Sequence, residues 1–402
     1  MTTKNSQVAE YAQNKAWSGR GRLETLVAEL DRQRESRLDI TIDTRSLRFG
    51  VKSDGSAALF PANPQATEWL DSDGMTIIDK AIPQLCARVS PGVPSGFFKT
   101  LVSEREGRAV ALMNGLLEDT GQRRFVRMLD GKVRAFLGNS YRVIDNYDVA
   151  FTALDSARAN NAEVLEAALS ETQMRLKFVN YDIWRTIDGV RANGSKSDWF
   201  AGGLGSQQHL SKVAARSQGD LPGGPGTVWP VVTVTNSETG HGSFNVRIGI
   251  LQGICFNLAT VESVARHIHL GERMEEGVYT DEAVSADSKA IMLKCRDAVA
   301  AAFKPETFDK IVAAANDAQK HVLKSPANAV EAVVKGSYMT DAAKDSILRY
   351  FLKDYSAGGE TRYGLAQAVA RYSQDVDDAD GSSDLEDLAG KLVMSGEMVA
   401  AC

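Results

Sequence analysis

The sequence predicts an α+β fold: a mostly antiparallel sheet core flanked by helices, followed by an all-helical C-terminal region. Three observations carry this expectation. Asp130-Gly131 sits between two apolar-rich runs, a hairpin signal because both residues accept positive φ. Phe244, Val246, Ile248 and Ile250 alternate strictly with Asn245, Arg247 and Gly249, the pattern of a half-buried strand. Beyond Asp281 the apolar residues recur at helical spacing, as in Ile291, Cys295, Val299 and Phe303. Hairpin-linked strands followed by a run of helices make an α+β chain.

Taken in order, residues 19–37 read as a helix with Leu23, Leu26, Val27 and Leu30 on one stripe and Arg20, Arg22, Arg32, Arg34 and Arg37 on the other face. Short strands fill 38–60. Pro83 is tolerated only in a first helical turn, so the helix through Leu85 and Val89 starts near Ala81. Ser90–Gly96 is a loop, and Phe97–Leu117 holds one or two helices. The Gln122–Arg142 hairpin follows, and Asp145 reads as the N-cap of a helix running toward Ser156. A further helix is expected over 161–170. Strands follow through Met174, Leu176 and Phe178, and over Val228–Thr235. Helices are expected again at 326–335, 340–354 and 361–373.

This divides the chain into an N-terminal extension at 1–75 and an α+β core at 76–280 that carries a Gly-rich insert at 190–226. A helical region at 281–373 and an acidic tail at 374–402 follow. Two states are open for the tail. Asp375, Asp377, Asp378, Asp380, Asp384, Glu386 and Asp387 favour an extended solvated segment that competes with DNA for a basic groove. Leu385, Leu388 and Leu392 favour a packed helix ending near Met394.

The composition excludes several classes. Hydrophobic residues make 43% of the 402 and charged residues 24%, a globular balance. No apolar run is long enough to span a membrane, and the first residues lack the apolar core of a secretory signal. Cys86, Cys255, Cys295 and Cys402 lie far apart with no Cys-x-x-Cys pair, against a zinc site or a disulfide framework. A cytoplasmic location is therefore expected.

The net charge is −6, yet Lys99–Arg142 holds nine basic residues against five acidic, and Arg371–Cys402 holds two against eight. Within the basic stretch, Arg123, Arg124, Arg127, Lys132, Arg134 and Arg142 are interleaved with Phe125, Phe136 and Tyr141. Cations follow phosphates and aromatic rings stack on bases, so this pattern can form a single-strand platform. It equally fits arginines solvated over an aromatic core.

Enzyme signatures are weak. No Gly-x-Ser-x-Gly elbow occurs, and the Gly-rich insert lacks the Gly-Lys-Ser/Thr of a phosphate loop. His267 and His269 could share one strand face and ligate a metal, but a lone His-x-His with no evident third ligand carries little weight. No catalytic residue, metal or cofactor is expected.

Three segments resemble the phage/plasmid-like protein family, a group labelled domain of unknown function 932. They are DKAIPQLCARVSPGV at 79–93, RAFLGNSYRVIDNYDV at 134–149 and the 235–271 segment that begins TNSETGHGSFNVRIGI. The resemblance spans roughly 75–390 and includes RYGLAQAVARYSQD at 362–375. Its motif positions fall on Arg134, Phe136, Leu137, Tyr141, Arg142, Asp145, Asn146, Asn236, Ser237, Arg247, Cys255, Asn257 and His269. The sequence departs from the family pattern at Glu238–Gly242, which stand where the family often has Asp-Gly. The resemblance implies a mobile-element origin, a bacterial host cytoplasm and a role in DNA metabolism. The expectation is single-stranded-DNA binding or annealing, with Arg123, Arg124, Arg127, Lys132, Arg134, Tyr141, Arg142 and Arg247 facing the strand. A homo-oligomer would lengthen that groove. A metal-assisted nucleic-acid enzyme and a structural or host-interaction protein are the alternatives.

Overall fold

The computed structural model describes residues 23–191, 224–253, 258–267, 280–337, 339–376 and 379–399. Among these, eleven α-helices and two six-stranded sheets form an α+β fold. Helix α1 (Leu23–Ser36) leads into β1 (Arg37–Asp43), β2 (Leu47–Val51), β3 (Ala57–Pro61) and β4 (Met75–Ile77). Helices α2 (Ile82–Val89), α3 (Ser95–Glu104) and α4 (Glu106–Thr120) precede the hairpin β5 (Arg123–Leu129) and β6 (Lys132–Gly138). The first sheet runs β1-β5-β6-β4-β3-β2, antiparallel except for the parallel β4–β6 pair. Pro83 falls in the first turn of α2, where its missing N–H costs nothing. Asp130 and Gly131 both take positive φ, 51° and 71°, as the two-residue turn requires.

Strand alternation gives this sheet two faces. Ile40, Val126, Met128 and Phe136 join Ile82, Leu85, Phe98, Met113 and Leu117 of the three helices in one core. The opposite face carries Asp39, Phe125 and Arg127 and meets the second half of the chain. At the outer edge, the Asn114 side chain of α4 donates to the Phe49 carbonyl (3.0 Å) and accepts from its N–H (2.8 Å). The amide thus stands in for a neighbouring strand and blunts the β2 edge.

The second half begins with α5 (Asn146–Ala159), β7 (Glu163–Leu169), β8 (Met174–Val179) and the short β9 (Arg185–Thr186). Strands β10 (Thr227–Asn236), β11 (Phe244–Gln252) and β12 (Leu258–His267) complete the second sheet, ordered β12-β11-β10-β8-β7 with β9 on β10. Helices α6 (Asp281–Ala302), α7 (Pro305–Lys320), α8 (Pro326–Gly336), α9 (Asp341–Tyr350), α10 (Arg362–Tyr372) and α11 (Ala379–Met394) follow. Val232, Val234, Val246 and Ile248 of the sheet share the larger core with Phe308, Ile347, Leu365 and Leu392 of these helices. No helix among the described residues is long and apolar enough to cross a membrane.

Three expectations need correction. The 161–170 segment is strand β7, not a helix. Its Glu-Val-Leu-Glu-Ala-Ala-Leu run favours a helix locally, but ladder pairing with β8, which sets Glu166 opposite Lys177, overrides that preference. Residues 37–75 are not an extension, because β1–β4 complete the first sheet and a boundary at 75 would cut β4. The acidic tail is not extended where it is described. Helix α11 starts at Ala379, with Leu388, Leu392 and Val393 buried. The insert at 192–223 and residues 377–378 lie outside the described residues.

Candidate functional site

The two sheets meet at one point, built around Arg127. This side chain is 2% exposed and projects from the centre of β5 away from the helices. It grips Asp39 of the neighbouring β1 through two parallel hydrogen bonds of 2.9 Å. It also donates to the Glu238 carbonyl at 3.0 Å and to Asp145 Oδ1 at 3.2 Å. Asp145 takes a second guanidinium, Arg37 Nη1, at 2.5 Å. Arg134 reaches Glu238 Oε2 at 3.4 Å. Three arginines and three carboxylates therefore balance in a solvent-poor space.

The sequence supplies this socket from both halves. Residues 236–241 turn between β10 and β11 and are largely buried. Asn236 Nδ2 donates to the Ile144 carbonyl and to Asn146 Oδ1, both at 2.8 Å. Tyr141 Oη donates to the Ser237 carbonyl at 3.0 Å. Gln84 of α2 donates to the Thr239 carbonyl at 2.6 Å. Asp145 holds the N-cap position of α5, but its carboxylate is spent on arginines and makes no cap bond. Glu238 supplies that bond from a distant loop, accepting from Asn146 N–H at 2.6 Å.

Electrostatics agree with this geometry. Burial works against the Arg127 charge, yet Glu238, Asp39 and Asp145 overcome it and raise its proton affinity. Burial alone would raise the Asp145 carboxyl, but Arg37 and Arg127 hold it below the usual carboxylate range. Arg134 shows the opposite balance, with burial lowering its proton affinity despite Glu238. Burial also pushes the Tyr141 hydroxyl above the ordinary tyrosine value.

The remaining cations named from the sequence are dispersed. Arg142 pairs with Asp287 of α6. Arg247 lies on the polar face of the second sheet and pairs with Asp387 of α11. On the same face Lys177 stands 2.6 Å from both Glu166 and Glu386. Phe125, Phe136 and Tyr141 are buried, so none of these rings offers an open stacking surface. Lys132 is exposed beside the hairpin turn. Cys255, Asn257 and His269 lie outside the described residues. Six motif residues, Arg134, Tyr141, Asp145, Asn146, Asn236 and Ser237, converge on the Arg127 socket.

Arg123 and Arg124 behave differently. They open β5 at the far end of the first sheet, where Arg45 and Arg88 also stand. No carboxylate among the described residues comes within 4.0 Å of these four guanidinium groups. Asp43, opposite Arg123 in register, turns its carboxylate to the Arg45 N–H at 2.9 Å. Arg124 Nη2 and Thr120 Oγ1 satisfy the carbonyls of Arg88 and Val89 at the C-terminus of α2, at 2.8 and 2.9 Å. Arg45 and Arg88 were missed from the sequence because nothing local marks them. Only the fold brings them beside β5.

Among the described residues no group of three or more His, Cys, Asp or Glu side chains is placed to hold a metal ion. No protein family, curated protein or solved structure matches the chain.

Proposed function

We propose that the chain binds single-stranded nucleic acid along the basic rim formed by Arg45, Arg88, Arg123 and Arg124. One observation carries this reading. The arginines nearer the middle of the molecule, Arg127, Arg134, Arg142 and Arg247, are each matched by a carboxylate. The four rim arginines are not, and Arg45, Arg88 and Arg123 are exposed. Uncompensated positive charge persisting in a chain of net charge −6 is an electrostatic footprint for a polyanion. The resemblance to phage and plasmid proteins points the same way, toward DNA metabolism. Because no aromatic ring named from the sequence is open beside the rim, phosphate contacts dominate and sequence preference is weak.

The test is a gel-shift series with single-stranded and duplex DNA from low to high salt. The double variant R88Q/R123Q leaves Arg124 to cap α2 and Arg45 to hold the Glu118 carbonyl at the end of α4. It should lower the single-strand salt slope by about 1.4, or about 0.7 per lost contact. Its melting temperature should hold, since exposed substitutions change stability by about 0.5 kcal/mol or less. Absence of single-strand binding at low salt, or an unchanged slope in the folded variant, overturns the reading.

A further inference from the structure

Within the rim, two arginines converge on one glycine. Gly138 ends β6 directly opposite Arg124 of β5, so both residues present the same sheet face. A Cβ placed on Gly138 would lie 3.7 Å from Arg88 Nη1, which puts the Arg88 guanidinium over this glycine. Arg124 Nη2 bonds the Arg88 carbonyl at 2.8 Å, drawing the second guanidinium to the same place. Arg124 Nε is buried there with no partner among the described residues. The exposed polar residues Asn139 and Ser140 border the site on the turn that follows.

We propose that Arg88 and Arg124, seated over Gly138, bind a phosphate monoester: the terminal phosphate of a nucleic-acid strand. The inference rests on the proposed function and narrows it to a strand end. Charge decides between an end and an internal phosphate. A monoester carries −1.5 to −2 near pH 7, as for phosphorylated side chains, and an internal diester carries about −1. Two neighbouring guanidinium groups repel each other, and only the dianion neutralises both. Burial and the Arg88 charge together lower the proton affinity of Arg124, as expected for a cation lacking its anion. Guanidinium forks also match phosphate oxygens in pairs.

The experiment measures affinity by fluorescence anisotropy on the full chain. It uses one oligonucleotide with a 5′-phosphate, with a 3′-phosphate, or with neither. In parallel, inorganic phosphate and methyl phosphate are tested for their shift of the melting temperature. At least one phosphorylated end should bind about tenfold tighter than the hydroxyl end, the worth of one charge-assisted contact. The two phosphorylated oligonucleotides identify which end is preferred. Arg88→Gln keeps its backbone carbonyl, and Gly138→Asp places a carboxylate in the seat. Each should abolish the advantage without changing the melting temperature, and Arg88→Lys should retain part of it. Equal affinity for all three oligonucleotides refutes the seat while leaving rim binding intact. Loss of all oligonucleotide binding refutes the proposed function. In that case, a phosphate-induced melting shift that Gly138→Asp removes still supports the seat, and no shift refutes it.

Discussion

Replacing Arg127 by Met should be among the most damaging single changes in this protein. The side chain is 2% exposed and makes four hydrogen bonds, two to Asp39, one to the Glu238 carbonyl and one to Asp145. Methionine fills much of the volume but strands two partly buried carboxylates and a carbonyl. Removing one partner of a buried ion pair costs about 3–5 kcal/mol, because the charge left behind is uncompensated. At roughly 2–4 °C per kcal/mol for domains of 150–250 residues, that is a drop of about 6–20 °C in Tm. Arg37 still neutralises part of Asp145, which favours the lower half of the range. Thermal melts and urea titrations of wild type, R127M, D39L and R127M/D39L would measure it. The double variant should lose less than the two single losses added together, because Asp39 is then no longer stranded. A loss below about 1 kcal/mol in R127M, or strict additivity, would refute the account of Arg127 as the charge that joins the two sheets.

Three further outcomes follow from the same structure. Leu392 is fully buried on α11, so Leu392→Ala should cost about 2–5 kcal/mol. Deleting residues 379–402 should lower the melting temperature sharply and leave single-strand affinity per folded molecule unchanged. A truncated chain that stays folded and binds more tightly at low salt would instead restore the tail as a competitor. Stability should also fall as pH drops below about 6.5, the ordinary histidine value. Partial desolvation of its ring holds the exposed His241 below that value, although its ring nitrogens meet the Lys80 carbonyl at 3.1 Å and the Thr239 hydroxyl at 3.0 Å. A depressed histidine favours the neutral form on folding. Its contribution is present above the unfolded pKa and is lost as pH falls through the folded one. Melts of wild type and His241→Gln between pH 7.5 and 5 should diverge toward acid, with wild type losing more. Parallel curves would exclude this role.

The elements that could be read from sequence had causes lying within a few residues. The β5–β6 turn needs positive φ at two adjacent positions, and Asp130-Gly131 advertises it. The start of α2 is fixed by Pro83. Strand β11 shows its period because one face is apolar and the other is not. Strand β7 failed because its reason for being a strand is the partner β8, which no local pattern reveals. Helix α11 was half legible. Its leucines mark a helix, but the seven carboxylates of the tail pointed to solvent. Lys177 and Arg247, which neutralise Glu386 and Asp387, are more than a hundred residues away.

That last case explains why charge counted along the chain misplaced the basic surface. The stretch from Lys99 to Arg142 carries an excess of four positive charges in sequence, but the fold neutralises it from elsewhere. Asp39 and Asp145 close on Arg127, Glu238 on Arg134, and Asp287 on Arg142. A buried cation must find a carboxylate, because an unpaired charge in a poor solvent is far more costly than an exposed one. Burial therefore sorts the arginines of the hairpin. Those in the middle of the strands enter the socket and acquire partners. Those where β5 begins stay at the rim, and an acid there gains little by pairing across water. Arg123 and Arg124 are left over by that sorting, and the fold adds Arg45 and Arg88 beside them. A free positive surface on this protein is thus set by strand position rather than by local density of arginine. If so, where a charge is added should matter more than how much is added. Gln122→Arg, exposed beside the rim, should strengthen single-strand binding, whereas Ser36→Arg, exposed near the turn at the opposite end of the hairpin, should not. Equal gains from both would show that overall charge, not the rim, governs binding.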